Sequence, residues 1–318
     1  MNPPRNPAAP YVFGASTEEV MRLQQLGELL HDSTRRVLQE AGIAEGMSVL
    51  DVGCGPGSVT FLAAELVGPS GSVLGIDRNP AMLASARSNP LGSRPTIVSF
   101  IQADLAELAD ESWLQPGFDA IIGRLILLHV ADPTVLVRTL ARHLRPGGVM
   151  VFQEPDLARL GASFPPIPML EQLCEWVRDA HRARGIDPQF GLRLQQVFLD
   201  AGLPAPRLTC EAFIGSGPEW GWYDQILRAA LNALPVVLSS GITTAEHAGP
   251  DTLAQRFREA VGRQRSLTRA IDLVSAWARK GKIVDEEAKA QDDRRSVHGS
   301  GQPPGSAVAR APAVPTGR

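Results

Sequence analysis

The sequence predicts a doubly wound α/β fold, in which helices cover both faces of a parallel sheet. Two observations lead to this prediction. From residue 47 onward, short apolar runs such as "MSVLDV" alternate with segments whose apolar residues recur at helical spacing. These runs lack a polar face, which is typical of strands in a parallel sheet that is buried on both sides. Right-handed crossovers between the strands then give the doubly wound arrangement.

The first element is a helix predicted over residues 16–39, where leucine and valine side chains recur on one face. In the alternating region that follows, we predict strands at 47–52, 72–77, 96–104, 118–124 and 148–156. Helices are predicted between them at 58–67, 79–88 and 132–144. The last two helices begin with Asn79-Pro80 and Asp132-Pro133, in which a capping side chain precedes a proline at the first helical position.

The pattern changes after Asp156, and helices begin to dominate. They are predicted at 168–184, 192–203, 219–234 and 252–262, with further strands at 206–215 and 270–280. From Gly281 onward the chain contains neither leucine nor an aromatic residue, which predicts a disordered tail.

Composition excludes several classes of protein. The formal net charge of −3 argues against broad electrostatic attraction to nucleic acid. The three cysteines form no CxxC pair, so we expect neither a disulfide framework nor a metal site. No apolar segment approaches the ~20 residues needed to span a membrane, and the first residues lack the apolar core of a signal peptide. We therefore expect a soluble cytoplasmic protein whose partner is a small molecule.

A glycine-rich turn, "VLDVGCGPG", joins the first strand of the alternating region to its helix. Its glycines allow a ligand to approach the backbone closely. A P-loop is excluded because no lysine follows Gly57. The dinucleotide fingerprint G-x-G-x-x-G fits less well, since Ser58 stands where its third glycine belongs. Asp77 ends the second strand and suits the ribose hydroxyls of either S-adenosylmethionine or NAD, so both ligands remain open at this point.

Five segments in series resemble the class I S-adenosylmethionine-dependent methyltransferases, in the branch that contains quinone-biosynthesis and bacterial small-molecule methyltransferases. They are "VLDVGCGPG", "GIDRNPAMLASAR", "FIQADLAEL", "FDAIIGRLILLHVADP" and "LRPGGVMVFQEPD". The resemblance covers residues 40–156 well and the remainder loosely. It implies a Rossmann-like sheet of seven strands, mostly parallel, with a reversed last strand at 270–280 and additional lid helices.

The resemblance also implies which residues bind the cofactor, S-adenosyl-L-methionine. They are Asp51, Gly53, Gly55, Gly57, Asp77, Arg78, Asp104, Leu105 and Arg124. The first four would shape the methionine pocket, and Asp77 would bind the ribose. Asp104 and Leu105 would lie beside the adenine, and Arg124 near the sulfonium end.

Composition, apolar periodicity and the resemblance together divide the chain into five parts. We expect a disordered N-terminus, an N-terminal helical cap, an S-adenosylmethionine-binding core, lid helices that also complete the sheet, and a disordered tail. Their boundaries are 1–15, 16–40, 41–160, 161–280 and 281–318.

Two residues at the carboxyl edge of the predicted sheet are candidates for catalysis. His129 follows the fourth strand and is the histidine best placed to act as a general base. With an unperturbed pKa of ~6.5, it would make the rate rise with pH through that value. Glu154 lies at the end of the fifth strand and is a candidate base or substrate-orienting residue.

The predicted function is methyl transfer to a small acceptor by in-line displacement. Aromatic residues cluster after Asp156, which favours an apolar or aromatic acceptor, while the methylated atom stays open between oxygen, carbon and nitrogen. Two alternatives remain: a non-catalytic protein of the same fold that binds the cofactor, and an NAD-dependent oxidoreductase.

Overall fold

A computed structural model describes residues 17–89, 97–108, 114, 117–263 and 265–281. The expectations of a disordered N-terminus at 1–15 and, apart from Gly281, of a disordered tail at 281–318 therefore lie outside the described residues.

Two consecutive helices, α1 (Thr17–Leu29) and α2 (His31–Glu40), occupy the segment predicted as one helix. Leu30 separates them, yet the backbone hydrogen bonds continue through it. The Leu30 N–H donates to the carbonyl of Leu26, and the Leu30 carbonyl accepts from the N–H of Thr34. The helix prediction is thus confirmed with a local irregularity at a fully buried leucine.

Eight strands among the described residues form one sheet. They are β1 (Ser48–Val52), β2 (Ser72–Asp77), β3 (Ile97–Gln102), β4 (Phe118–Arg124), β5 (Leu144–Asp156), β6 (Ser163–Phe164), β7 (Arg207–Gly215) and β8 (Leu267–Arg279). The first five lie in the order β3-β2-β1-β4-β5 and are parallel. Strand β8 runs antiparallel between β5 and β7, which confirms the reversed last strand. The two-residue β6 was not predicted and also pairs with β8.

The helices that follow these strands cover both faces of the sheet. Their bounds are α3 (Ser58–Val67), α4 (Pro80–Arg87), α5 (Pro133–His143), α6 (Pro168–Ala183), α7 (Leu194–Asp200), α8 (Gly221–Ser239), α9 (Ala245–Ala248) and α10 (Pro250–Arg263). The predicted caps of α4 and α5 are present, since Asn79 accepts from the N–H of Ala81 and Asp132 from that of Val135. Within the described ranges, no helix is both long enough and apolar enough to cross a membrane.

The core consists of two layers, one on each face of the sheet. On one face, Val49 and Ile122 pack with Leu38 of α2 and Leu62 of α3. On the other face, the larger layer joins β1, β4 and β5 to helices α5 to α8. Because β1 to β5 are parallel, their carboxyl ends meet at one edge, where ligands bind in such sheets.

Candidate cofactor and acceptor cavity

A cavity of about 1400 Å³ opens at the carboxyl edge of the parallel strands. Its lining comes from the loops after β1, β2, β3 and β4 and from helices α1, α6 and α8. Pockets for one small molecule typically measure about 300–1,000 Å³. The cavity therefore has room for a nucleoside-sized ligand and a second small molecule together.

The glycine turn forms part of the cavity wall. Gly53, Gly55 and Gly57 have φ angles of +66°, +53° and +89°, which L-residues with side chains rarely adopt. A Cβ added to Gly55 would meet no atom within 4 Å, because this backbone faces open space in the cavity. Gly57 lies behind the wall instead, where an added Cβ would come 2.7 Å from Phe61. The backbone of Gly55 is thus accessible to a ligand, whereas Gly57 adopts the left-handed conformation that precedes the first residue of α3.

The carboxylate of Asp77 is held in a fixed orientation at the end of β2. Its Oδ2 accepts the N–H of Gly55 at 2.9 Å, and its Oδ1 accepts the N–H of Asn79 at 2.8 Å. Burial raises the pKa of Asp77, and these two hydrogen bonds oppose the rise. Each carboxylate oxygen has a second lone pair, so Asp77 can accept two further hydrogen bonds, one from each of two adjacent hydroxyl groups of a ligand in the cavity.

Asp51 and Arg124 are buried ionisable residues that line the cavity. Asp51 accepts the hydroxyl of Thr60 at 2.6 Å, and burial raises the pKa of Asp51 to about 7 while the charge of Arg124 opposes this. Arg124 Nη1 donates to Thr34 Oγ1 of α2 at 2.9 Å, and burial lowers the pKa of Arg124 to about 10. The guanidinium therefore remains charged at neutral pH and connects α2 to the cavity.

The remaining predicted cofactor residues also line the cavity. Asp104 accepts the N–H of Ala106 at 3.0 Å, and Leu105 lies beside it. The carbonyl of Arg78 accepts Gln102 Nε2 at 3.2 Å, which ties the end of β3 to that of β2. The structure thus brings together every predicted cofactor residue except Gly57.

His129 lies in a 3-10 turn after β4 and lines the cavity. Burial, and to a smaller extent the neighbouring His181, Arg78 and Arg22, lower the pKa of His129 to about 3. The imidazole is therefore neutral at neutral pH and a weak base. The expectation of a rate midpoint near 6.5 assumed an unperturbed side chain, and with this lowered pKa we expect no such midpoint from His129.

Glu154 is fully buried and does not line the cavity. Its Oε1 accepts the N–H groups of Ile126 and Leu127 at 3.0 and 2.7 Å. Burial raises the pKa of Glu154 to about 8, so the side chain is mostly protonated at neutral pH. It holds the turn that begins at Leu125, whose φ of +57° is strained for a residue with a side chain. Glu154 thus bonds to the backbone of this turn and lies outside the cavity lining.

Helix α1 contributes polar groups that sequence reasoning missed. Glu19 and Arg22 form a buried bidentate pair with N–O distances of 2.8 and 2.7 Å. Asn232 of α8 donates to Glu19 at 2.8 Å, and Gln225 of α8 donates to the carbonyl of Arg22 at 3.1 Å. The available signal was the i, i+3 spacing of opposite charges on the face of α1 that also carries Leu26. These bonds fix α1 against α8 at the wall of the cavity.

Comparisons with known proteins agree with this architecture. Residues 43–200 match the family model described as a methyltransferase domain. The chain is 37% identical over 120 residues to trans-aconitate 2-methyltransferase of Methylobacterium nodulans, which covers 38% of this chain and 43% of the relative. It is 39% identical over 116 residues to ubiquinone biosynthesis O-methyltransferase of Alkalilimnicola ehrlichii, which covers 36% of this chain and 44% of the relative.

A solved structure shows the same fold. A protein from Bacillus halodurans C-125 superimposes with a TM-score of 0.53 at 17% sequence identity, over 79% of this chain and 100% of that chain. The chain spans about half the length of the curated relatives that it matches. The matched domain, the strand order and the glycine turn together show that the chain belongs to the class I S-adenosylmethionine-dependent methyltransferases of the small-molecule branch.

Proposed function

We propose that this chain transfers a methyl group from S-adenosylmethionine to a small, largely apolar or aromatic acceptor. The proposal rests on a cavity of about 1400 Å³ that has two kinds of wall. One wall carries Asp77 and Gly55, and the other consists of apolar side chains. The acceptor wall includes Leu26 of α1, Val177 of α6 and Trp222 of α8. A cavity with these two halves can bind a methyl donor and an acceptor side by side.

The residues of the first half fit the donor. Asp77 can accept both ribose hydroxyls, because its two oxygens are already oriented by backbone N–H groups and keep free lone pairs. The bare backbone of Gly55 leaves space for the amino-acid portion, and Asp104 with Leu105 lies where an adenine would bind. When bound, S-adenosylmethionine supplies an activated methyl group on a sulfonium leaving group, for in-line displacement by the acceptor.

The chain itself contributes alignment and exclusion of water. Helices α1 and α8 form one wall of the cavity and are joined by the hydrogen bond from Asn232 to Glu19. His129 presents a neutral imidazole that can orient the acceptor by a hydrogen bond. Alignment in a dry site of this kind can account for a large part of the rate of a displacement reaction.

Calorimetry followed by an activity screen tests the proposal. S-adenosylmethionine and S-adenosylhomocysteine are expected to bind with micromolar dissociation constants, about −8 kcal/mol, and NAD far more weakly. A screen of small aromatic and apolar acceptors is then expected to release S-adenosylhomocysteine. Preferential binding of NAD would favour the oxidoreductase alternative. Binding of the donor without turnover across a broad screen would favour a non-catalytic protein.

A pH–rate profile tests the role of His129. Because its pKa lies far below neutrality, the wild-type rate is expected to show no histidine-dependent rise between about pH 5.5 and about pH 8. His129→Ala is expected to lower kcat/KM by about 10- to 100-fold. This is the effect of losing one hydrogen bond that orients a charged group of the acceptor, or a group that becomes charged during the reaction. His129→Gln should recover part of this loss, since an amide can replace one ring nitrogen.

The contrary outcome for His129 is equally specific. A wild-type rate that rises through about pH 6.5, and a His129→Ala variant that lacks this rise, would show a general base with an ordinary pKa. Melting temperatures of both variants serve as the control for folding.

A further inference from the structure

We propose that the part of the cavity wall formed by α1, α6 and the residues just after α6 binds an anionic oxygen group of the methyl acceptor. This inference rests on the proposed function and adds the chemical class of the acceptor: an apolar body that carries a carboxylate or another ionised oxygen group. The polar residues of this subsite are Arg22, His181 and Arg184, all of which line the cavity.

Charge is distributed unevenly around the cavity. The carboxylates of its lining are those of Asp51 in β1, Asp77 at the end of β2, Asp104 after β3 and Asp132 before α5. By contrast, the described lining residues that come from α1, α6 and α8 include no carboxylate. Arg78 and Arg124 accompany these carboxylates, whereas the side chains that line the other half offer an anion the guanidinium groups of Arg22 and Arg184 and no carboxylate that would repel it.

The basic groups are fixed by the fold. Arg22 is held by its bidentate contact with Glu19, which also belongs to α1. Glu19 is fully buried, accepts a hydrogen bond from Asn232 of α8 and does not line the cavity. His181 Nδ1 lies 2.7 Å from the carbonyl of Val177. A carbonyl only accepts, so Nδ1 carries the proton and the ring is held against α6. A preorganised set of this kind loses little freedom when an anion binds.

Arg184 adds a further positive charge at the same place. It is half-buried directly after α6 and lines the cavity together with His181. Burial lowers the pKa of His181, and the charges of Arg22 and Arg184 lower it further, so the ring is mostly neutral at neutral pH. The fields of the two arginines therefore overlap at His181, where an anion would be stabilised.

The surroundings of this subsite are apolar. Leu23, Val177, Ile186 and Ile226 line the same region. Apolar walls lower the local dielectric constant, so each contact between a cation and an anionic ligand is stronger than in water. They also bind the hydrocarbon body of the acceptor. An amphiphilic acid fits this arrangement better than a neutral or cationic molecule of the same shape.

Binding of matched probes tests the inference. The protein is first saturated with S-adenosylhomocysteine, and this binding is recorded as a separate measurement. It is then titrated by calorimetry with 1-naphthoate, 1-naphthamide and 1-naphthylmethylammonium, which share one apolar body. We expect naphthoate to bind at least about tenfold more tightly than naphthamide, and the ammonium compound most weakly.

Two neighbouring arginines provide matched variants. Arg184→Gln should reduce the preference for naphthoate at least about threefold, and Arg184→Lys should retain most of it, because lysine keeps the charge. Arg182→Gln should leave the preference unchanged, since Arg182 is exposed, does not line the cavity and pairs with Glu175 and Asp179.

The outcomes separate this inference from the proposed function. Failure of S-adenosylhomocysteine to bind would count against the proposed function itself. If it binds, the inference is overturned by absence of naphthoate binding at millimolar concentration, by equal or tighter binding of the amide or amine, or by a preference that survives in Arg184→Gln.

Discussion

Asp77→Ala is expected to weaken the binding of S-adenosylhomocysteine by about 2–4 kcal/mol, which is roughly a 30- to 1,000-fold rise in Kd. The carboxylate lines the cavity with both oxygens oriented by backbone N–H groups, so its removal eliminates two charge-assisted hydrogen bonds to a ribose. Isothermal titration calorimetry of the variant and the wild type measures the change.

A second substitution controls for damage to the loop. Asp77→Ala also leaves the N–H groups of Gly55 and Asn79 without their acceptor, so the melting temperature is recorded alongside affinity. Asp104→Ala removes another carboxylate from the lining, one that accepts the N–H of Ala106, and should cost only about 0.5–1.5 kcal/mol of affinity. A folded Asp77→Ala protein with unchanged affinity would refute the ribose assignment.

Glu154→Ala is expected to lower the free energy of unfolding by about 2–5 kcal/mol. The substitution leaves the buried N–H groups of Ile126 and Leu127 without an acceptor, at about 1–3 kcal/mol each. Glu154→Gln keeps an oxygen at that position and is neutral like the protonated acid. It should therefore remain close to the wild type in stability at neutral pH, and denaturant unfolding of the three proteins measures the difference.

The pH dependence of stability provides an independent test of Glu154. Burial raises its pKa from the ordinary value of 4.5 to about 8 in the folded protein, so the folded state binds this proton more tightly than the unfolded state. Its contribution to stability is therefore complete below about pH 4.5 and is lost as pH rises through about 8. Wild type should become less stable relative to Glu154→Gln between about pH 5 and about pH 8. Parallel stability curves for the two proteins would show that Glu154 is ionised in the fold.

Local signals determined much of the fold. The bounds of α3, β2 and β4 agree with their predictions residue for residue, because a glycine directly precedes each of these elements. The caps of α4 and α5 also formed as predicted. The position of the reversed β8 came instead from the family resemblance, because pairing between β5 and β8 joins residues far apart in the chain.

The sequence by itself determined the α/β alternation, the glycine turn, and the position of Asp77 at the end of β2, since these depend on spacing within a few residues. Only the tertiary structure decided which groups meet in the cavity. Packing buried Glu154 beneath the turn. It also buried His129 near His181 and Arg22, and burial first and these neighbours second lower the pKa of His129 to about 3. The charge state of a side chain depends on burial and on neighbours from distant segments. A linear pattern does not contain that information, and the folded chain does.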